Sequence, residues 1–113
     1  MARYTLTERI GGKVTHERFD GLAAVLDELE RRGHELQGKA DAAVVGGSMM
    51  RRFQPEDQVT ARLEVSGPGH LRAGVDVRGD GSAVPYTGRL RRRTVERGGR
   101  ENAYDALRRI LAS

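Results

Sequence analysis

Two stretches of strict alternation constrain this chain more than any other feature. Val59, Ala61, Leu63 and Val65 are separated by Thr60, Arg62 and Glu64, and then Leu71, Ala73, Val75 and Val77 by Arg72, Gly74 and Asp76. A period of two belongs to a strand with one face buried and the other wet. Pro68–Gly69, between the runs, fits the central positions of a type II turn. Asp80–Gly81, after the second run, is a hairpin signal. An antiparallel meander is therefore expected, its third strand running from about Ser82 to Val95. Pro85 near the start of that strand suits an edge or a bulge.

The N-terminal part reads as a hairpin followed by a helix. Over residues 3–10, Tyr4, Leu6 and Ile10 alternate with Thr5, Thr7 and Arg9, and Gly11–Gly12 suits the tight turn into residues 13–19. Asp20 is placed to cap a helix whose Leu22, Val25, Leu26 and Leu29 form one apolar stripe. Arg31–Arg32 suit its negative end, and Gly33 is expected to close it as a left-handed cap. At the other end of the chain, Gly98–Gly99 breaks the third strand. A last helix follows, with Asn102 and Asp105 in capping-box spacing and Leu107, Ile110 and Leu111 facing inward.

Residues 34–56 carry the weakest pattern. Ala42 to Val45 could form a short strand, Gly46–Gly47 would bend or end it, and Pro55 stops whatever Met49 to Phe53 forms. The expected fold is α+β, with residues 1–113 as a single small domain. An antiparallel sheet of about five strands carries two helices on one face, in the order ββα-(β)-βββα. The other face is left to polar side chains: Arg62, Glu64, Arg72, Asp76, Arg78, Arg89, Arg91 and Arg93.

Composition excludes whole classes of function. The 113 residues contain no cysteine, which removes a disulfide scaffold, a thiol nucleophile, an iron–sulfur cluster and a Cys-ligated zinc site. Apolar content is 37%, so the five aromatics (Tyr4, Phe19, Phe53, Tyr86 and Tyr104) must anchor a thin core. No run of 18 apolar residues exists, and the start MARYTLTERIGG lacks the apolar core of a signal peptide. A soluble, cytoplasmic protein without membrane contact is expected.

Charge is unevenly spread. Residues 1–50 carry seven basic and eight acidic groups, and residues 51–87 carry five of each. Residues 88–113 carry eight basic against three acidic, so this last stretch accounts for the whole excess of +4. Only Lys13 and Lys39 among the basic residues are lysines. A GC-rich genome would produce that bias, and so would a need for guanidinium forks that grip phosphate. Within GRLRRRTVERGGR, residues 88–100, Arg89, Arg91 and Arg93 would project from one strand face about 7 Å apart. Arg97-Gly98-Gly99-Arg100 leads into the last helix, whose free N–H groups suit an anion, although a glycine pair more commonly just turns the chain. Such a row repels itself unless it is answered. Either Glu64, Asp76 and other acids on adjacent strands answer it, or an anionic partner does.

The remaining motifs point to no catalysis. His16, His34 and His70 sit in separate elements, without metal-ligand spacing. Asp76 and Asp80 lack the rest of a calcium loop. Glycines at 46–47 and 79–81 match neither a Walker loop nor a dinucleotide fingerprint. Glu8 and Glu17 could face one another across the first hairpin as an acid–base pair. Met49–Met50 beside Phe53 suits the core, or a partner surface if exposed.

The helix–three strands–helix order from Asp20 to Ala112 is similar in outline to double-stranded-RNA-binding domains, with Arg100 near where that family places basic residues. The family's paired lysines are missing, since this helix opens with Glu101-Asn102-Ala103. The link from the first helix to the next strand is also far longer and an extra hairpin precedes the helix, so no residue role carries over. Too few aromatics are spare for a base-stacking platform, which favours backbone contact with duplex nucleic acid or structured RNA. The sequence thus points to a non-enzymatic binding module, with no metal or cofactor, using Arg89, Arg91, Arg93, Arg97 and Arg100. The alternative is a protein-interaction or homodimeric assembly module with no nucleic-acid role.

Overall fold

The two alternating runs form the middle of one antiparallel sheet. The computed structural model describes residues 3–45, 59–88 and 93–112. Elements follow in the order β1 Tyr4–Ile10, β2 Lys13–Phe19, α1 Leu22–Val45, β3 Val59–Gly67, β4 Leu71–Arg78, β5 Ala83–Thr87, β6 Arg93–Thr94 and α2 Ala103–Ala112. Laterally the strands run β2-β1-β3-β4-β5-β6, and every adjacent pair is antiparallel. The N-terminal hairpin thus extends the meander by adding β1 to β3.

Register explains the core. Leu6 stands opposite Val65, Val65 opposite Ala73, and Leu63 opposite Val75, so these side chains share one face. Val25, Leu26 and Leu29 of α1 and Tyr104 and Leu107 of α2 join them in a single buried cluster. Both helices therefore cover the same face. Leu6 and Leu63 are wholly buried, and each such side chain contributes about 1.5–3 kcal/mol relative to exposure.

Three expectations need correction. First, α1 does not stop at Gly33 but continues to Val45, so Ala42–Val45 is helical and not a strand. Leu36 and Ala40 prolong the spacing set by Leu29, and Gly33 stays in the helix for a packing reason. A Cβ there would fall 2.6 Å from Cε1 and Cζ of Tyr104. Second, Val25 N–H bonds to the Gly21 carbonyl, so Gly21, not Asp20, stands at the N-cap position.

Third, the strand expected over 82–95 is a hairpin of β5 and β6, which raises the strand count to six. Gly88, at φ +103°, ends β5 with a backbone conformation that side-chain-bearing residues rarely adopt. Tyr86 then pairs with Thr94, and Thr87 with Arg93. The proposed cap of α2 agrees with the sequence reading. Asn102 Oδ1 accepts from Asp105 N–H at 2.8 Å, and Asp105 Oδ2 accepts from Asn102 N–H at 3.4 Å. The Met49–Met50 pair, Phe53 and Pro55 lie outside the described residues, as do Arg89 and Arg91.

Candidate anion-binding site

The face opposite the helices carries one row of polar residues through successive strands. His16 stands opposite Thr7, Thr7 opposite Glu64, Glu64 opposite Gly74, and Gly74 opposite Tyr86. Gly74 is what lets the row close up. A Cβ there would fall 2.8 Å from the Tyr86 hydroxyl and 2.9 Å from Glu64 Cα. With no side chain in the way, Tyr86 crosses β4 and donates its hydroxyl to Glu64 Oε1 at 2.8 Å.

Glu64 is only 6% exposed and Tyr86 3%. A carboxylate so placed needs compensation, and Arg72 supplies it with a bond to Oε2 at 3.0 Å. In the next row Arg62 donates to Asp76, Nε to Oδ1 at 2.5 Å, while its guanidinium carbon lies 5.6 Å from the Tyr86 ring centre. Burial, then the neighbouring Glu64, pushes the Tyr86 hydroxyl well above the usual tyrosine range, so it remains a donor at neutral pH. Thr7 Oγ1 and His16 Nδ1 stand 3.0 Å apart.

This network decides which arginines the sheet acids can answer. Glu64 and Asp76 are taken by Arg72 and Arg62 from their own two strands. The four arginines of the two helices are likewise paired. Arg31 and Arg32 both bond Glu28, Arg32 reaches Glu17, and Arg108 joins Asp27 and Glu30 across the two helices. Arg109 bonds Glu101 at 2.9 Å. By contrast, Arg93, Arg97 and Arg100 are exposed and form no ion pair among the described residues.

Their placement differs partly from expectation. Arg93 pairs with Thr87, which stands opposite the core residue Ala73. It therefore belongs to the helix-side face with Ala83, Pro85 and Thr87, not the face of Arg62 and Asp76, because it is Val84 and Tyr86 of β5 that stand opposite Asp76 and Gly74. Arg97 and Arg100 flank the Gly98–Gly99 turn. Glu101 Oε1 accepts from Gly98 N–H at 2.7 Å, and Glu101 N–H returns a bond to the Gly98 carbonyl at 2.8 Å. The glycines thus do turn the chain, and Asn102 Oδ1 takes the Asp105 N–H in the first turn of α2.

Arg97 stands between two clefts. One, of about 480 Å³, lies between α1, the β4–β5 turn and α2, and is lined by Arg97, Arg78, His34, Asp80, Ser82 and Asn102 among others. The second, of about 530 Å³, is lined by Glu96, Arg97, Gly99, Arg100 and Glu101. A chain of bonds fixes the first: Tyr104 hydroxyl to Gln37 Oε1 at 2.6 Å, and Gln37 Nε2 to the Gly81 carbonyl at 2.9 Å. Ser82, Asp80 and His34 line this cleft. Ser82 gives its hydroxyl hydrogen to Asp80 at 2.6 Å, and His34 Nε2 faces Glu30 at 3.0 Å. The Ser82 bonds hold the Asp80 carboxyl below its usual range, which weakens it as a base.

The other motifs settle into local roles. Glu8 stands opposite Thr15 and Glu17 opposite Leu6, so the two carboxylates do not face each other. No cluster of His, Asp and Glu suited to a metal occurs among the described residues. No described helix is long and apolar enough to cross a membrane.

No protein-family model, curated protein or solved structure matches the chain. The resemblance in outline to double-stranded-RNA-binding domains gains no support from these comparisons, and four strands, not three, separate the two helices. What the site can do must be argued from its charge. The buried network was missed in the sequence, although one signal was present: a glycine between two polar strand positions, with a tyrosine on the following strand.

Proposed function

We propose that the protein is a non-enzymatic binding module whose arginine-rich end contacts the phosphate backbone of duplex nucleic acid or structured RNA. Arg93, Arg97 and Arg100 carry the contacts, together with Arg89 and Arg91. One observation supports this above the rest. Glu64 and Asp76, the acids expected to neutralise the row, are held by Arg72 and Arg62 on the other face of the sheet, while Arg93, Arg97 and Arg100 are exposed and form no ion pair among the described residues. Exposed, unanswered positive charge attracts polyanions. Tyr86 and Tyr104 are both buried, which favours backbone charge over base stacking as the means of recognition.

Fluorescence anisotropy with duplex DNA, duplex RNA and single-stranded RNA, at low and at physiological salt, tests the reading. Each phosphate contacted adds about −0.9 to the log–log salt slope on duplex DNA. Arg97→Glu with Arg100→Glu is expected to abolish binding at physiological salt and to flatten the slope by about two contacts. Arg62→Gln, at a neutralised position, is expected to leave the slope unchanged. Wild-type binding that disappears at physiological salt, or equal loss in both variants, overturns the proposal.

A further inference from the structure

The two edges of the sheet are unlike. β6 contributes two described residues, whereas β2 runs for seven, pairs one-to-one with β1 from Lys13 to Phe19, and has neither a bulge nor a proline. Every residue of β2 except Phe19 is exposed. Long, regular, uncovered edges are templates for strand addition, and proteins that leave them unpaired usually shorten or interrupt them.

The direction of the free backbone groups follows from the hairpin. Its turn is closed by Ile10 and Lys13, so this pair and every second pair after it exchange hydrogen bonds between β1 and β2. Lys13, Thr15, Glu17 and Phe19 therefore point their N–H and C=O groups inward to β1. Those of Val14, His16 and Arg18 point outward. The same alternation holds across the sheet, where Gly88 N–H bonds the Arg72 carbonyl and Val95 N–H the Pro85 carbonyl.

We propose that β2 is the pairing edge of a two-fold homodimer, in which two β2 strands meet antiparallel with Thr15 on the dyad. Outward-pointing residues must form the hydrogen-bonded pairs, which leaves few registers. With Thr15 on the axis, Val14 of each copy exchanges two bonds with His16 of the other. On the helix side, Thr15 then meets Thr15, and Lys13 stands opposite Glu17 of the second copy, twice by symmetry. Opposite charges and Thr–Thr pairs both favour cross-strand neighbours. Moving the dyad to His16 sets Lys13 against Phe19 and Thr15 against Glu17, which loses both charge pairs. Moving it to Glu17 sets carboxylate against carboxylate.

Glu17 has room for the extra partner. It is half-exposed on its own copy, where Arg32 is bonded to one oxygen, Oε1. Val14, 40% exposed, is partly covered by the neighbouring strand. The symmetry is isologous, so the interface closes on itself.

The test combines sedimentation velocity over a wide concentration range with charge exchange. The wild type is expected to dimerise. Glu17→Lys and Lys13→Glu are each expected to weaken the dimer about 10-fold or more, and the double variant to restore it. The chain has no cysteine, which allows a second readout that survives if a charge variant fails to fold. Thr15→Cys places two thiols at a non-hydrogen-bonded pair, where Cα atoms lie about 4.5 Å apart, within disulfide reach. Glu17→Cys places them about 13 Å apart along the strand. Oxidation should link the first variant and not the second. A wild type that stays monomeric at every concentration, or equal cross-linking of the two variants, overturns the proposal.

Discussion

Tyr104 packs into the gap left by Gly33. The ring enters from α2 at the point where α1 has no side chain, and its hydroxyl passes on to Gln37, one turn further along α1. His34 lies beside it, with ring centres 4.8 Å apart. A contact of this kind reverses the ordinary effect of a helix substitution.

Gly33→Ala is therefore expected to destabilise the protein by about 1–3 kcal/mol through overpacking, although the same change in an exposed helix stabilises by about 1 kcal/mol. Urea denaturation reads the sign directly. Adding Tyr104→Ala to Gly33→Ala should show strong coupling, because the added methyl then has space. An increase in stability from Gly33→Ala alone would mean that the ring does not fill the gap.

The sheet carries a second such fit at Gly74, Tyr86 and Glu64. Tyr86→Phe keeps the ring over Gly74 but takes one hydrogen-bond donor from a buried carboxylate. A loss of about 1–3 kcal/mol is expected, the cost of leaving a buried acceptor short of a partner. Chemical denaturation of the two proteins, under identical conditions, measures it. A change below a few tenths would mean that solvent already reaches Glu64.

Much of the frame was legible because it is local. The alternation over 59–65 and 71–77 specified two strands and their buried faces, and the Asn102–Asp105 spacing specified a cap that forms as read. Gly33 was misread because a glycine after an apolar stripe looks like a helix terminus. Only its distant partner, Tyr104, explains why the residue must be small. The site was half legible for a related reason. That Glu64 and Asp76 could neutralise arginines was readable, but the choice among arginines depends on register, and register set Arg62 directly opposite Asp76. Val84 and Tyr86, the large apolar residues of β5, lie on the face away from the helices, opposite Asp76 and Gly74, so the apolar alternation of that stretch pointed Arg93 to the wrong face.

Acid should weaken the α1 ion pairs over a window set by Glu28. Hydrogen bonds from Arg31 and then Arg32 lower the Glu28 carboxyl from its ordinary value of 4.5 to about 2. A group whose pKa is depressed by folding stabilises the fold fully above its unfolded value and loses that contribution as pH falls through the folded one. The window is therefore pH 4.5 down to about 2. Denaturation midpoints across it should fall more steeply for the wild type than for Glu28→Gln. Parallel curves would mean that the exposed side of the pair is screened by solvent.

The inequality of the sheet's edges bears on how this molecule fails as well as how it works. Linear polymerisation through strand edges needs two adhesive sides on every unit, so that each addition leaves a fresh side open. Here β2 offers seven residues, while the described part of β6 offers Arg93 and Thr94, followed by Arg97 and Arg100, which form no ion pair among the described residues. Such a unit is its own chain terminator. Among the described residues, a strand that adds to β2 finds no seven-residue counterpart on the far side, so association through β2 is expected to end at one step and not to run on into fibres.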